Sequence, residues 1–297
     1  MEFFDAIASA ISSATGKPFH VESGVRLNGG SATQAWRFEG CGERFFVKTT
    51  EAPSAQIFLA EAAALDEIAA TDSVRVPSPV CHGEIENQKT RFLVLEYFDL
   101  SPHSQTSAAK LGESLAAMHR HVAEKFGWQR ANSIGVTLQI NTPCSDWLSF
   151  WRDQRLGFQL GLAYRNGYDI TLRDQGDRLL ESFGEFFRTY SPAASLLHGD
   201  LWHGNAATLA TGEPVVYDPA TYYGDREADL AMTELFGGFT SEFYSAYRAA
   251  FPLDAGYSTR KHFYNLYHLL NHLNIFGAAY LAQTRATMQK LLAEISA

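Results

Sequence analysis

The sequence changes character near residue 100, and this change limits the possible folds more than any other feature. Before it, runs of β-branched and aromatic residues such as "ERFFVKTT" and "TRFLVLEYF" alternate with glycine and charged turns, which predicts β-strands. One helical pattern, "SAQIFLAEAAALDEIAAT", interrupts them. After the polar stretch "DLSPHSQTS", apolar residues recur mainly at helical spacing. We therefore expect an α+β protein with a small, β-rich N-lobe containing one helix and a larger, mainly helical C-lobe.

We place the N-lobe at residues 1–100 and the C-lobe at residues 101–297, with a cleft between them. The C-lobe helices are predicted at roughly 107–125, 144–164, 171–190, 226–250 and 258–295. Only two strong strand signals, "SLLHG" and "PVVYD", are expected in this half.

Charge and cysteine content exclude several classes of protein. The 24 basic residues against 33 acidic ones give a net charge of -9, so neither nucleic acid nor an anionic membrane is an expected partner. Glu2 and Asp5 stand where a secretory signal would be basic, so we expect a soluble cytoplasmic protein. Cys41, Cys81 and Cys144 form no CxxC pair, which excludes a disulfide framework and a cysteine zinc site.

The most informative segment is "SLLHGDLWHGNAATLATGEPVVYDPA", residues 195–220. Asp200 follows one strand-like run on a glycine-bounded turn, Asn205 lies five residues further on, and Asp218 ends the next apolar run. Two carboxylates and an amide oxygen on adjacent loops suit Mg²⁺, which prefers oxygen ligands. The alternative is that all three are ordinary turn residues, but their ordered spacing favours a site.

This spacing is similar to that of phosphotransferases with the protein-kinase-like fold. In that template the first Asp accepts the proton of the substrate hydroxyl, and the Asn and second Asp hold Mg²⁺ at the phosphates of ATP. Asp200, Asn205 and Asp218 are the matching residues. The sequence "HGD" replaces the "HRD" of protein kinases, which indicates a small-molecule kinase.

The template also requires a lysine for the phosphates and a carboxylate that holds it. Lys48 ends the strand "RFFVK", and Glu61 falls on the same apolar helix face as Leu65 and Ile68. A carboxylate directed into an apolar stripe is costly unless it is paired, so we expect it to pair with Lys48. Taken singly, Lys48 reads as a solvated strand end and Glu61 as a residue at the edge of the stripe.

Two further segments are candidates for nucleotide binding. Gly29, Gly30 and Ser31, in "LNGGSATQAW", form a possible glycine-rich turn over the phosphates, although an ordinary hairpin turn has the same composition. Glu96 and Tyr97 end the last N-lobe strand, where extended backbone can hydrogen-bond adenine.

From about Gly24 to Gly277 the chain resembles the fructosamine kinase (ketosamine 3-kinase) family. The segments that carry the resemblance are "LLHGDLWHGN", "VVYDPATYYGDREADLAMTELFGGF" and "NLYHLLNHLNIFGAAY". The resemblance implies ATP- and Mg²⁺-dependent phosphorylation of the 3-hydroxyl of a ketoamine, the adduct of a sugar and an amine. The phosphate would destabilise the adduct and so assist deglycation of small amines or protein lysines.

Four residues are candidates for substrate contact: Trp202, His203, Asp225 and His268. Trp202 suits the apolar face of a sugar, but it is an equally good packing residue. His268 and His272 have the i, i+4 spacing of half a zinc site without a third ligand, so we expect a polar helix face lining the cleft or the core. Asp229 is expected to brace the catalytic loop, as in kinase-like folds, and His119 to be a hydrogen-bonded core residue.

Two alternative functions remain. The chain could phosphorylate another small alcohol, as aminoglycoside and choline phosphotransferases do, or it could be a nucleotide-binding pseudokinase. The presence of Lys48, Asp200, Asn205 and Asp218 together argues against the second. The sequence does not define the sugar, the amine or the oligomeric state.

Overall fold

The strand-like runs before residue 100 form one antiparallel five-stranded sheet. The computed structural model describes residues 2–27, 33–51, 56–85 and 89–295. The strands are β1 (Ser23–Leu27), β2 (Gln34–Gly40), β3 (Glu43–Thr50), β4 (Pro79–Ile85) and β5 (Thr90–Glu96), and their order in the sheet is β1-β2-β3-β5-β4. Lys48 lies near the end of β3, in the middle of the sheet, paired with Ala35 on one side and Leu93 on the other.

Helices cover both faces of this sheet, which explains why the strands carry nearly continuous apolar runs. In β5, Phe92 and Val94 pack into the cluster that includes α1 (Glu2–Thr15). The alternate residues Leu93 and Leu95 pack into the cluster that includes α2 (Gln56–Ala69). The period of two along a strand separates these two sets of side chains.

The prediction of one helix in the first hundred residues was wrong, because the described part of that segment contains both α1 and α2. The apolar residues of α1 recur at helical spacing, and Ile7 and Ile11 are buried against Phe38 of the sheet. A 14-residue helix of this kind gains its stability from that packing more than from its own propensity.

Helices dominate the C-lobe, and the long helical patterns are divided into shorter elements. Gly237 and Gly238 interrupt the predicted helix 226–250, and Gly277 interrupts 258–295, all with positive φ. The α-helices are α3 (Gln105–Met118), α4 (Trp147–Trp151), α5 (Gly157–Arg165), α6 (Ile170–Ser182), α7 (Glu227–Leu235), α8 (Ser241–Ala250), α9 (Tyr257–Phe276) and α10 (Leu281–Ile295). Arg152–Leu156 forms a π-helical turn, and Phe183–Phe187, His203–Asn205 and Ala278–Tyr280 form 3₁₀ turns.

The C-lobe contains more strands than the two that the sequence predicted. Both predicted strands are present, as β10 (Ala194–Leu197) and β12 (Pro214–Val216). Six further short strands are β6 (Leu100–Ser101), β7 (Val122–Ala123), β8 (Asn132–Ile134), β9 (Thr137–Gln139), β11 (Ala206–Leu209) and β13 (Tyr222–Gly224). Two to four residues are too few to show a clear alternating pattern. The strands β6, β7, β11 and β13 pair with strands distant in sequence, whereas β8 and β9 pair with each other.

The hydrophobic core connects the two lobes. Leu93 and Leu95 of the N-lobe sheet belong to the same buried cluster as Leu111 of α3 and Leu196 of β10. β6, which begins at the predicted boundary, pairs with β11 of the C-lobe. The division of the chain at residue 100 therefore stays a prediction. Among the described residues, no helix has both the length and the apolar character needed to cross a membrane.

Candidate active site

A cavity of about 450 Å³ lies between the N-lobe sheet and the C-lobe. Its wall on the N-lobe side includes Lys48 and Glu61. Asp200, Asn205 and Asp218 line it from the C-lobe. The five residues that the sequence predicted for catalysis, nucleotide binding and metal binding therefore line one cavity.

Lys48 bridges the two lobes by two ion pairs. Its Nζ lies 2.5 Å from Glu61 Oε1 and 2.5 Å from Asp218 Oδ1. Burial alone would lower the pKa of Lys48, but the attraction of Asp218 and Glu61 outweighs this effect and raises it. Lys48 is therefore a cation whose charge is held in place from both lobes.

The turn that carries Asp200 is held by a buried carboxylate. Asp229 Oδ2 accepts a hydrogen bond from His198 N at 2.7 Å, and Oδ1 accepts one from Gly199 N at 2.8 Å. Gly199 has φ +84, and a Cβ there would lie 2.1 Å from the carbonyl oxygen of Ala220, so only glycine fits. The geometry agrees with the bracing role that the sequence analysis gave to Asp229.

His119 completes this support from inside the core. It is fully buried, with Nδ1 2.8 Å from Tyr247 Oη and Nε2 3.1 Å from Asp229 Oδ2. Hydrogen bonds from His119 and from the backbone stabilise the carboxylate, and the pKa of Asp229 is lowered despite its burial. The turn thus rests on an ionised, fully bonded group.

Asn205 and Asp218 offer oxygen atoms suited to a divalent cation. Asn205 Nδ2 donates to the Asp200 carbonyl oxygen at 2.8 Å, which leaves its Oδ1 without a hydrogen bond among the described residues. The Asp218 side chain is 46% exposed, and its second oxygen is likewise without a partner within that part of the chain. Asp218 has φ 59, a left-handed conformation that is uncommon outside glycine and that is found at functional sites. This donor set fits Mg²⁺.

Asp200 has the properties of a general base. Burial, followed by repulsion from Asp218 and Asp229, raises the pKa of Asp200 to about 7. A carboxyl group with a pKa near neutrality can both accept a proton and release it at physiological pH.

Part of the cavity wall is aromatic, and of its members the sequence analysis expected only His272 to line the cleft or the core. His272 has Phe236, Phe276 and Tyr280 as ring neighbours, at centroid distances of 4.6, 5.4 and 5.0 Å. These four residues, here called the aromatic wall, line the cavity together with Trp202. The spacing of four between His272, Phe276 and Tyr280 was the available signal in the sequence.

The tautomer of His272 follows from its hydrogen bond. Nδ1 lies 2.8 Å from the His268 carbonyl oxygen, which only accepts, so Nδ1 carries the hydrogen. Burial lowers the pKa of His272, and the neutral ring leaves Nε2 as an acceptor. The aromatic wall therefore contains a ring nitrogen that can accept a hydrogen bond.

Several predicted residues lie outside the cavity lining. Asp225 is fully buried, with its oxygens bonded to Tyr190 Oη at 2.9 Å and Tyr264 Oη at 2.5 Å, so it is not placed to contact substrate. His268 is also buried, and burial together with the nearby His272 lowers its pKa to about 3. His203 is exposed beside Trp202, at a ring distance of 4.8 Å.

The predicted adenine segment, Glu96 and Tyr97, lies outside the cavity lining. The Glu96 carboxylate accepts hydrogen bonds from Arg75. The backbone N–H of Glu96 donates to the Ser78 carbonyl oxygen at 2.9 Å. The Tyr97 ring lies under Arg44, 4.8 Å from its guanidinium carbon. Gly29, Gly30 and Ser31 lie outside the described residues.

Comparison with known proteins agrees with this geometry. The chain matches the sequence profile of the family described as "Fructosamine kinase" over residues 3–294. It is 41% identical over 290 residues to a "Probable ketoamine kinase" of Synechocystis sp., with 97% of each chain covered. It is 36% identical over 284 residues to the "Protein-ribulosamine 3-kinase, chloroplastic" of Arabidopsis thaliana, covering 95% of this chain and 86% of that one.

Solved structures show the same architecture. A crystal structure of a "Putative fructosamine-3-kinase" from Haemophilus somnus superposes with a TM-score of 0.88 at 28% identity, covering 96% of each chain. An aminoglycoside phosphotransferase, APH(4)-Ia, in a ternary complex with ADP and hygromycin B gives 0.66 at 13% identity over 98% of each chain, a likeness of fold alone.

The fold and the relatives define a phosphotransferase of the kinase-like class that acts on a hydroxyl group. Within this class, the chain belongs to the fructosamine kinase family.

We expect Asp229→Asn to destabilise the protein by about 2 to 3 kcal/mol, because an amide nitrogen would face backbone N–H donors in a buried site. Urea unfolding measures the loss. The control is Asp177→Asn, which removes an exposed pair with Arg173 and should cost ~0.5 kcal/mol or less. Equal losses in the two variants would contradict the bracing role of Asp229.

Proposed function

We propose that this protein transfers the γ-phosphoryl group of ATP to the 3-hydroxyl of a ketoamine. The observation that carries the proposal is the meeting of Lys48, Asp200, Asn205 and Asp218 in one cavity that the aromatic wall also lines. Membership of the fructosamine kinase family and the ketoamine and ribulosamine named for its relatives support this acceptor class. Phosphorylation would destabilise the sugar–amine adduct and so contribute to deglycation.

In the proposed mechanism, Asp200 accepts the proton of the acceptor hydroxyl while the oxygen of that hydroxyl attacks the γ-phosphorus. The new O–P bond forms as the bond to the β,γ-bridging oxygen breaks, and ADP leaves. Lys48, held by Glu61, binds the phosphates and fixes them for in-line attack. Asn205 and Asp218 would hold Mg²⁺, which when bound offsets the charge of the β and γ phosphates.

We assign the aromatic wall and Trp202 to the acceptor. Aromatic faces suit the C–H faces of a sugar and attract an ammonium group through the ring quadrupole. Nε2 of His272 adds an acceptor for a sugar hydroxyl or the N–H of the adduct. The earlier candidates His203, Asp225 and His268 are replaced in this proposal by residues that line the cavity.

The charges of the cavity favour a ketoamine over an aminoglycoside. An aminoglycoside carries several ammonium groups and needs several carboxylates. Among the described lining residues, the acidic ones are Glu61, Asp200 and Asp218, and each already has a role in nucleotide binding or chemistry. A ketoamine with a single amine makes no such demand.

The nucleotide contacts, the location of the protein and the amine of the acceptor complete the proposal. The nucleotide roles of Gly29, Gly30, Ser31, Glu96 and Tyr97 and the cytoplasmic location stay predictions from the sequence. The amine can belong to a free amino acid or to a protein lysine, because the cavity opens to the surface.

A substrate panel tests the acceptor. We expect ATP consumption with fructosyl- or ribulosyl-amines but not with choline or aminoglycosides, and NMR should place the phosphate on O3. Asp200→Ala should lower turnover by ~10²-fold or more, the size of a general-base contribution, while the Kd for MgATP changes little. Wild-type turnover in the variant would remove Asp200 from its role, and phosphorylation of aminoglycosides alone would refute the ketoamine assignment.

We expect Asp218→Ala to abolish Mg²⁺-dependent ATP binding, because one of the two proposed metal ligands is lost along with a partner of Lys48. Titration calorimetry with and without Mg²⁺ measures the effect, and Asp200→Ala is the control that should still bind. Tight MgATP binding by Asp218→Ala would place the metal elsewhere.

Phe276→Ala should raise the KM for the ketoamine about 3- to 10-fold, which corresponds to roughly 0.5–1.5 kcal/mol of aromatic contact. The Kd for MgATP should not change. Phe276 is already 50% exposed, so little stability is at stake. Tyr164→Ala, at a residue 52% exposed and outside the cavity lining, is the matched control. Equal KM values in the two variants would exclude the aromatic wall from acceptor binding.

A further inference from the structure

The helix that presents Glu61 to Lys48 is fixed to the C-lobe by contacts that the proposed mechanism does not use. On α2, Ala60 and Ala64 are 2% and 1% exposed and belong to the same buried cluster as Phe126 and Trp128 of the C-lobe. Alanine at these two positions, four residues apart on one helix face, allows close approach of the C-lobe.

Glu67 adds a polar contact next to this apolar one. Its Oε2 accepts a hydrogen bond from Trp128 Nε1 at 2.5 Å, and its Oε1 accepts one from Tyr223 Oη at 2.8 Å. Both oxygens of one carboxylate on α2 are therefore bonded to C-lobe side chains. Charge-assisted bonds of this kind are stronger than bonds between neutral groups.

The two donors are fixed to each other through the backbone. Gly127, next to Trp128, exchanges two backbone hydrogen bonds of 2.9 Å with Tyr223. Gly127 has φ +103, and a Cβ there would lie 2.6 Å from the Asn141 carbonyl oxygen. Trp128 and Tyr223 thus form a rigid pair of donors rather than two independent side chains.

Tyr223 connects this pair to the catalytic segments. It lies in β13, directly opposite Leu196 of β10. β10 leads into the turn at Asp200, and Asp218 precedes Tyr223 by five residues. The position of α2 is therefore set against the same small sheet that positions the C-lobe carboxylates.

We propose that Glu67 is a positioning residue, which holds α2 against Trp128 and Tyr223 so that Glu61 keeps Lys48 in place for the phosphates. This inference rests on the proposed function for the role of Lys48. It extends that function, because the Lys48–Glu61 pair then depends on contacts of Glu67, a residue outside the cavity lining. The exposed carboxylate of Asp66, adjacent in sequence, makes no hydrogen bond among the described residues and has no such role.

The test compares Glu67→Gln with Asp66→Asn, which removes the same charge from the neighbouring exposed residue. A carboxamide can accept from one donor but turns an NH₂ group toward the other. We expect Glu67→Gln to raise the Kd for MgATP about tenfold, equivalent to ~1.4 kcal/mol. Amide hydrogen exchange within α2 should also become faster, while Asp66→Asn matches the wild type in both measurements.

A merely structural role gives a different result. Glu67→Gln would then lower the melting temperature but leave the Kd of the folded protein and the exchange of α2 unchanged, and this outcome overturns the proposal. Tyr223→Phe, which removes only a hydroxyl group, provides a second variant that should change the Kd in the same direction. In the double variant the two effects should not add, because they share one contact. Additive effects would also overturn the proposal.

The two readouts separate this inference from the proposed function. Neither the Kd for MgATP nor the exchange of α2 requires an acceptor, so a wild-type protein inactive toward ketoamines refutes only the proposed function. Normal ketoamine kinase activity with unchanged Kd and exchange in Glu67→Gln refutes only the positioning role.

Discussion

The contact between Lys48 and its two carboxylates is the interaction on which the arrangement of the site depends. A lysine whose side chain is 7% exposed is costly to bury unless its charge is compensated. Glu61 and Asp218 compensate the charge of Lys48 from opposite lobes. Both ion pairs therefore form only when the two lobes are correctly placed relative to each other. The two partners are not equivalent, because the Glu61 side chain is 13% exposed and that of Asp218 is 46% exposed. The Glu61 pair is thus the permanent one, and the Asp218 pair is open to exchange with solvent and ligands.

The C-lobe side of the site is also held by buried polar groups. Side chains buried in the C-lobe form hydrogen bonds with the backbone of the loops that carry the site residues. Asp229 holds the turn before Asp200. In the separate segment that follows Asp218, Gln139 Nε2 donates to the Ala220 carbonyl oxygen at 2.9 Å and Asn132 Nδ2 donates to that of Thr221 at 2.8 Å. Each bond satisfies a backbone group in a segment that has no regular structure of its own. Loops held in this way can present reactive groups without being ordered by the substrate.

Much of the site could be predicted from the sequence, because its residues lie at fixed offsets along single segments. Asp200, Asn205 and Asp218 follow two strands whose apolar runs are visible, and Glu61 stands out as a charge in an apolar stripe. The aromatic wall could be predicted only in part, through His272, because Phe236 lies on another segment and only the tertiary fold brings it to His272. The predicted role of Asp225 failed for the opposite reason. Its sequence neighbours indicate a polar loop, whereas Tyr190 and Tyr264, distant in sequence, bury it.

The charge balance of the cavity supports the proposed use of Mg²⁺. Among the described lining residues, Lys48 is the single Lys or Arg, against the carboxylates of Glu61, Asp200 and Asp218. Burial keeps His272 neutral by lowering its pKa, so it contributes no positive charge. A nucleoside triphosphate that enters this cavity without a divalent cation would meet net negative charge. The repulsion would be poorly screened, because the cavity has a lower dielectric constant than water. In the proposed mechanism one of these carboxylates, Asp218, provides an oxygen ligand for the metal complex together with the amide of Asn205. The composition of the cavity is therefore one reason to propose that the nucleotide binds together with a divalent cation.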